Sequence, residues 1–339
     1  MRTHLLIVAL IGTGLGAGQT RLLAQQPSTA SRVRYEARWD IQKSDVTDQL
    51  NSVYFVDIKT GWAVGRNNTI LKTTDGGQTW NRVLEREDGG NEFHSVYFTD
   101  ERDGWAQTGD ILLHSSDGGE TWRPASPLPD RKHLGEGAAV GAVRFQMGQM
   151  GTSDHVYVSE DGGTTWAVGS QLPRNDFEHI FVVDPQHMWV VGDYGRYAFT
   201  ADGGATWREP KMPVNASLRK VYFVSPMLGW ILPSDHNGGP LATKDGGNTW
   251  ASQYAGAERN RPLRDIHFVN DREGFLLVGS NRDDVVYRTA DGGVRWQTIG
   301  RLPAGRAAMS FPATDNGWVV GPGGYIVHYH LVPVPVGAK

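Results

Sequence analysis

The chain has 339 residues, of which 39% are hydrophobic, with 43 glycines, 12 tryptophans, no cysteine and a formal net charge of −4. The lack of cysteine excludes disulfides, thiolate zinc sites, iron–sulfur clusters and a lipid-modified cysteine. The acidic balance gives no electrostatic basis for binding nucleic acid, while the many glycines and aromatic residues are typical of a turn-rich β protein.

The N-terminus predicts a secretory signal peptide over residues 1–24. Arg2 is followed by an apolar run from Leu5 to Gly18 and by small residues that end near Ala24. This run is too short to span a membrane comfortably, although an uncleaved anchor is the alternative. We therefore predict an exported protein with a short linker at residues 25–32 and no transmembrane span in its mature form. Export without disulfides suits a bacterial periplasm, because a domain with a large core does not need them.

A six-residue motif recurs along the chain at a regular spacing. Asp-Gly-Gly-x-[Thr/Arg]-Trp occurs six times, and successive copies are separated by 42, 44, 41, 43 and 46 residues. This period fits a four-stranded propeller blade, which needs four short strands and their turns. We call the motif the Asp box. Its aspartates are Asp75, Asp117, Asp161, Asp202, Asp245 and Asp291, and its tryptophans are Trp80, Trp122, Trp166, Trp207, Trp250 and Trp296.

The same order of predicted strands precedes each box. A strand of β-branched and aromatic residues is followed by a polar turn and a Gly-Trp strand, as in Val53–Phe55 and Gly61–Gly65. Six further copies follow, of which the one at Val143 lacks the Gly-Trp strand and the last lacks a box. Their first strands contain Val96, Val143, Ile180, Val221, Ile266 and Met309.

Seven first strands but six boxes imply that the last copy lacks its fourth strand. Residues 33–43 resemble the strand that follows a box, with Trp39 in the place of Trp80. We predict that this N-terminal strand completes the seventh blade and leaves no open sheet edge. The expected fold is an all-β, seven-bladed β-propeller over residues 33–332, monomeric, with a C-terminal tail at residues 333–339.

The Asp box is interpreted as a fold-stabilising turn. Its carboxylate accepts backbone N–H bonds, its glycines adopt conformations closed to other residues, and its tryptophan is buried beside a neighbouring blade. Calcium loops use a ladder of aspartates, whereas each box has one carboxylate. We therefore predict neither a metal at the boxes nor any cofactor.

The stretch from Gly61 to Trp80, with echoes at 189–207 and 317–329, resembles the photosystem II stability and assembly factor family. The resemblance covers essentially the whole mature chain, and the pattern Trp-x-x-Gly-x-x-Gly-x-Ile is more specific than the box. It implies a propeller exported to the thylakoid lumen, periplasm or extracellular space that binds a membrane-protein subunit or an assembly intermediate. In photosynthetic members an arginine-rich surface serves this purpose. Many cyanobacterial members carry a lipoprotein cysteine, which this sequence lacks.

Strand direction predicts which loops share a face. Loops between second and third strands should lie with the connections between blades, opposite the boxes. Arginines in these segments form the predicted partner surface, because the planar guanidinium suits carboxylate or phosphate recognition. Acidic residues occur in the same loops, so ordinary solvated loops are the alternative. The predicted surface comprises Arg66, Arg196, Arg219, Arg264 and Arg282.

Other candidate sites have weaker patterns. His328 and His330 alternate on one predicted strand and so project to one face, which is the spacing of a metal-binding pair. No third ligand is evident nearby, which favours ordinary strand histidines. The glycines at 321–324 predict a hairpin turn, because no helix follows that could cap a phosphate.

The alternative function is a secreted glycoside hydrolase of a sialidase-like or xyloglucanase-like type, since both classes contain Asp boxes. The Phe/Tyr-Arg-Ile-Pro segment of sialidases is absent, and the xyloglucan-cleaving enzymes pair two propellers around two carboxylates. The sequence favours a non-catalytic, protein-binding assembly or scaffolding role, and no catalytic residue is assigned. The carboxylates open to the alternative are Glu178, Asp193, Asp235 and Asp283.

Overall fold

The computed structural model describes residues 34–84, 90–129, 131–234, 239–253, 261–279, 283–303, 305 and 308–334, with the backbone alone for 131–133. The predicted signal peptide and linker lie outside these residues, as do Asp235, Arg282 and most of the predicted tail. One compact unit spans Tyr35–Val332. The domain bounds 1–24, 25–32, 33–332 and 333–339 remain predictions.

Seven antiparallel sheets follow one another along the chain; six have their strands in sequence order, and the seventh adds the N-terminal strand at its edge. The N-terminal strand is β1 (Arg34–Gln42). The first blade holds β2 (Leu50–Phe55), β3 (Gly61–Gly65), β4 (Ile70–Thr73) and β5 (Asn81–Arg82); the second β6 (Ser95–Phe98), β7 (Gly104–Gln107), β8 (Leu112–Ser115) and β9 (Arg123–Pro124); the third β10 (Arg131–Val140), β11 (Val143–Met150), β12 (Ser153–Ser159) and β13 (Ala167–Gln171).

The remaining blades repeat this order. The fourth holds β14 (Phe177–Asp184), β15 (His187–Gly192) and β16 (Tyr197–Thr200); the fifth β17 (Leu218–Phe223), β18 (Gly229–Pro233), β19 (Leu241–Thr243) and β20 (Ala251–Ser252); the sixth β21 (Leu263–Phe268), β22 (Gly274–Val278), β23 (Asp283–Thr289) and β24 (Gln297–Pro303); the seventh β25 (Ala308–Ala313), β26 (Asn316–Val320) and β27 (Ile326–Val334). Two short 3-10 turns, Asp193–Gly195 and Pro322–Gly324, interrupt the loops of the fourth and seventh blades.

The sheet order β1-β27-β26-β25 confirms that the N-terminal strand closes the seventh blade. Trp39 on β1 donates through Nε1 to the carbonyl of Ile299, 2.9 Å away, and its ring lies 5.0 Å from that of Tyr329. Ser44 Oγ donates to the carbonyl of Gly324 at 2.6 Å. Seven sheets are present, so the prediction of an all-β, seven-bladed propeller is confirmed.

Aromatic stacks join neighbouring blades at five junctions. Phe98 of the second blade stacks on Trp62 of the first at 3.4 Å between centroids, and the box residue Trp122 meets Phe98 edge-on at 5.8 Å. Large apolar surfaces are thus removed from water between every such pair of sheets, which is the main stabilisation of the ring. The other stacked pairs are Trp189–Phe223, Trp230–Phe268, Phe275–Phe311 and Phe55–Trp318.

The third blade differs from the prediction. The residues at Val143 were expected to open its first strand, but they begin its second strand, β11, and β10 is the first. The sequence Arg131–Val140 has few β-branched or aromatic residues, so its strand character is not visible locally. Its strand conformation is fixed by antiparallel pairing with the neighbouring strand β11.

The fourth blade also departs from the four-stranded pattern, since it has three strands and one isolated bridge between Phe199 and Arg208. Two prolines follow at 210 and 213. Proline lacks the N–H that a ladder requires, so the chain after this box cannot continue as a paired strand.

Candidate functional site

The Asp boxes follow the third strands and share a set of hydrogen bonds, except that the sixth has Arg295 in place of the threonine and keeps only its backbone bond to Asp291. In the second blade, the backbone N–H and the hydroxyl of Thr121 donate to the two carboxylate oxygens of Asp117 at 2.9 and 2.6 Å. The hydroxyl of Ser115 donates to the same carboxylate at 2.8 Å and accepts the N–H of Gly119 at 2.7 Å. The turn therefore extends two residues upstream, to a Ser or Thr that recurs before every box and that the sequence interpretation missed.

The box glycines have a conformational and a packing reason to be glycine. Both glycines of all six boxes have φ between 67° and 96°, a region that other residues rarely adopt. A Cβ on Gly119 would in addition overlap Nε1 of Trp62 in the preceding blade, which donates to the carbonyl of Gly118 at 3.1 Å. The box tryptophans at 80, 250 and 296 are buried and the other three half-buried.

The boxes lie on one face of the ring together with the turns between first and second strands. The N–H of Gly76 in the first box donates to the carbonyl of Lys59 in such a turn at 2.8 Å, and the N–H of Gly118 does the same to Arg102. We call this the box face. The opposite face carries the loops between second and third strands and the connections between blades, and we call it the loop face.

The predicted arginines that the structure describes all lie in loop-face segments, but they differ in their partners. Arg66 Nε is 3.1 Å from Glu92, and Arg196 Nη1 is 2.8 Å from Asp176. Arg219, in the fifth blade, is exposed. Its positive charge partly offsets the rise in the pKa of the nearby Glu178.

Arg264 is exposed in the sixth blade and packs over Gly279. Among the described residues, neither Arg264 nor the fifth-blade Arg219 forms a salt bridge. The predicted fifth member, Arg282, lies outside the described residues.

Sequence reasoning missed three further arginines of the loop face. Arg174 Nε lies 2.6 Å from Glu209, while Arg261 and Arg301 share the two carboxylate oxygens of Asp283 at 2.9 and 2.8 Å. They could have been found from their position, since each lies near the end of a fourth strand or in a connection between blades. The loop face is therefore rich in both charges, with arginine concentrated on the fourth to sixth blades.

A central channel runs past the first strands of all seven blades and encloses a cavity of about 370 Å³. Lys220 is paired with the buried Asp265, which also accepts the N–H groups of Ile266 and Met309 at 2.8 Å each. Polar residues of these first strands line the cavity, and the sequence interpretation did not include them.

Burial shifts the pKa of two further titratable groups in the channel. Glu136 lies 3.3 Å from His179. Burial raises the pKa of Glu136 to about 8 and lowers the pKa of His179 to about 3. Both groups are therefore largely uncharged at neutral pH.

Of the carboxylates considered for glycoside hydrolysis, Glu178 and Asp193 lie close enough for their charges to interact. Burial, and next the nearby Asp193, raise the pKa of Glu178, which suits an acid. Asp283 is held by two arginines, and Asp235 lies outside the described residues.

The histidine pair of β27 is engaged within the seventh blade. The Nδ1 atoms of His328 and His330 are 3.4 Å apart, and Nε2 of His330 lies 3.5 Å from Asp40. In the described ranges, no group of three or more His, Cys, Asp or Glu side chains is arranged to hold a metal ion. No helical segment of that part of the chain has the length and apolarity that crossing a bilayer requires.

Comparison with known proteins identifies the relatives of this propeller. Residues 31–173 match the family model described as photosynthesis system II assembly factor YCF48. A photosystem II assembly protein Ycf48 from Thermosynechococcus vestitus is 26% identical over 86% of this chain and 84% of its own. The photosystem II assembly lipoprotein Ycf48 of a Synechococcus strain is 34% identical, but the match spans only 35% of this chain and 34% of that protein.

Solved structures share the fold. A structure described as YCF48 bound to D1 peptide has a TM-score of 0.70 at 23% identity and covers 86% of this chain and 96% of its own. Propellers of other classes are also similar, among them a xyloglucanase from Xanthomonas campestris with a TM-score of 0.59 at 13% identity, covering 85% of this chain and 53% of its own. The resemblance that the repeat motifs indicated is confirmed, and this chain is similar to the photosystem II assembly factor Ycf48 proteins.

Proposed function

We propose that this chain is a non-catalytic, exported propeller that binds a protein partner in an assembly or scaffolding role. The observation that carries the proposal is its similarity, over 86% of its length, to a protein named for photosystem II assembly. A rigid ring that presents variable loops on one face is well suited to hold a partner, since binding residues concentrate on loops that a scaffold positions.

We place the partner surface on the loop face of the fourth to sixth blades. Arg219 and Arg264 are exposed there without a salt bridge in the described part of the chain, so their charge is available to a partner. Arg196 is about one-quarter exposed and bound to Asp176, which fixes its orientation. Arginine is enriched among residues that dominate binding energy because its guanidinium forms several directed hydrogen bonds.

A catalytic role is less well supported by the channel. A retaining or inverting glycosidase needs two carboxylates, one free to act as base or nucleophile. The channel does contain Glu136, whose raised pKa suits an acid. Its possible counterpart, Asp265, is occupied on both oxygens by Lys220 and two backbone N–H groups, and a carboxylate held in this way is a poor nucleophile.

The location follows from the predicted signal peptide and from the exported proteins to which the family resemblance points. We propose an extracytoplasmic compartment and a monomeric state, with the partner presented at a membrane surface. The 339 residues contain no cysteine, which is the residue that lipoprotein anchoring modifies.

The experiment removes three loop-face arginines together, Arg196→Ala, Arg219→Ala and Arg264→Ala. We expect the free energy of unfolding to change by less than about 1.5 kcal/mol, because exposed charges contribute little to stability, while capture of partner proteins from the exported fraction of the host falls at least tenfold. Quantitative mass spectrometry of captured proteins and thermal denaturation measure the two effects.

The matched control removes three exposed arginines from the box face, Arg102→Ala, Arg272→Ala and Arg295→Ala, and so changes the net charge equally. Capture should be retained in this control. Equal loss in both triple variants would mean that net charge alone drives capture, and retained capture in the loop-face variant would place the surface elsewhere. Release of reducing sugar from xyloglucan by the wild-type protein would overturn the non-catalytic proposal.

A further inference from the structure

The junction between the second and third blades breaks the aromatic pattern of its neighbours. In the second blade, Gly104 of the second strand lies opposite Phe98 of the first strand. In the third blade the corresponding pair is reversed in size, with Arg144 opposite Ala139. The large side chain at this position therefore comes from the second strand and carries a positive charge.

The guanidinium of Arg144 occupies the slot that a phenylalanine ring fills elsewhere. Phe98 stacks on Trp62 of its preceding blade, and likewise Arg144 Cζ lies 4.4 Å from the ring centroid of Trp105 and 5.0 Å from that of Tyr97. These distances are those of cation–π contacts, which offset part of the cost of burying the charge.

Arg144 is nevertheless under-satisfied. The residue is 1% exposed, and its Nη2 donates to Gln146, but Nε and Nη1 have no hydrogen-bond partner. No carboxylate of the described residues lies within salt-bridge distance of it. A buried charge without a counter-charge, and buried donors without acceptors, are each destabilising, so the fold alone gives no reason to place arginine here.

A cavity lies beside this guanidinium. A cavity of about 380 Å³ on the box face is lined by Arg144, Trp105 and Ala139, and by Asp100, Asp103 and Asp161 at its wall.

All three wall acids already have partners within the chain. Asp103 lies 3.3 Å from Nε2 of His114, and Asp100 accepts the N–H groups of residues 102 and 103 at 2.7 and 2.8 Å. Asp161 is the aspartate of the third Asp box and accepts the N–H of Thr165 at 2.9 Å.

We propose that this cavity is a binding site for a small carboxylate monoanion that accepts the free N–H groups of Arg144. One buried guanidinium can neutralise one negative charge, and charge-assisted N–H to carboxylate bonds are the strong ones. The apolar faces of Trp105 and Ala139 suit a short alkyl group. The three wall aspartates repel every anion, and a dianion about twice as strongly as a monoanion, so sulfate and phosphate should bind more weakly than acetate. It lies on the opposite face from the proposed arginine surface and does not depend on it.

The test follows the side-chain Nε–H resonance of Arg144 in uniformly ¹⁵N-labelled full-length mature protein at pH 7. Sodium acetate is the probe, with sodium chloride and sodium sulfate at equal ionic strength as comparisons. We expect a saturable shift of this resonance with acetate alone, and an increase in Tm of about 2 °C at ten times the Kd. The resonance is identified by its loss in Arg144→Met.

Arg144→Met should abolish the acetate-dependent increase in Tm, and the control Arg208→Met, at an exposed arginine, should retain it. If Arg144→Met does not fold, the contrast between acetate and sulfate in the wild-type protein decides the matter. An equal response to all three salts, or no response to acetate, would overturn the proposal and leave the cavity to water.

Discussion

The seventh blade and five of the six boxed blades reach the same four-stranded sheet by different routes. In a boxed blade the fourth strand follows the third through a turn that six contiguous residues define, such as Asp117 to Trp122. In the seventh blade the fourth strand comes from the other end of the chain, and the hydrogen bond from Trp39 to Ile299 joins residues 260 positions apart. Local hydrogen bonds fix the first kind of strand, whereas only closure of the whole ring fixes the second.

This difference teaches that stability is distributed unequally along the ring. A boxed hairpin can form as soon as its own residues are present. The seam forms its contacts only after the entropy cost of closing a loop of nearly the whole chain has been met. The seam should therefore be the place where the ring opens first, and the boxes should resist longest.

The largest effect is expected from removing the seam strand. A chain that begins at residue 44 loses β1, exposes the edge of β27 and leaves Tyr329 without the ring of Trp39. We expect a loss of more than about 3 kcal/mol, comparable with a large core truncation, and concentration-dependent aggregation through the open edge. Size-exclusion chromatography and urea denaturation measure both.

The control for this deletion begins at residue 33 and keeps β1. If the two chains elute as monomers with equal unfolding midpoints, the seam contributes nothing and the proposed order of opening is wrong.

A smaller effect is expected from a single box glycine. Gly119→Ala forces a side chain into positive φ and against Trp62, whose N–H then loses its place at Gly118. We expect a loss of roughly 2–4 kcal/mol, because backbone strain and overpacking act together. Gly109→Ala is the matched control, since a Cβ there meets nothing within 4 Å, and its unfolding free energy should change by less than about 0.5 kcal/mol. Similar values for both variants would contradict the packing argument.

The smallest effect is expected on the stability of the protein at low pH. Hydrogen bonds from the hydroxyls of Thr165 and Thr249 hold the pKa of Asp161 and Asp245 at about 2, below the ordinary value of 3.8. Since the folded-state pKa is the lower one, this stabilisation is complete above pH 4 and is lost as pH falls towards 2. Urea denaturation between pH 5 and 2 should show this decline.

The variant Thr165→Val and Thr249→Val should make the acid-dependent decline shallower, because fewer hydrogen bonds distinguish the ionised carboxylates. Thr298→Val, at an exposed strand position without a box, is the control and should follow the wild-type curve. A decline of the same steepness in the double variant would mean that the box hydroxyls do not set it.

The sequence predicted the strands of the blades that carry the full repeat motif. It did not predict the strands where that motif is incomplete. Seven first strands set against six boxes indicated the blade count and the seam, because strand and turn patterns involve residues that lie close together in the chain. The first strand of the third blade was assigned wrongly, since Arg131–Val140 lacks the residues typical of strands and is fixed by pairing with β11. For the candidate site, the loop-face positions of Arg219 and Arg264 were predictable from strand direction, but Arg174, Arg261 and Arg301 were not singled out.

By itself, then, the sequence determined the repeating unit, because the turn chemistry of the box and the spacing of aromatic residues act over a few positions. Only the tertiary structure decided how Lys220 and Asp265 meet in the channel, and how Arg144 replaces a phenylalanine beside Trp105. Those contacts join different blades, and the burial that gives their charges significance exists only when the blades pack against one another.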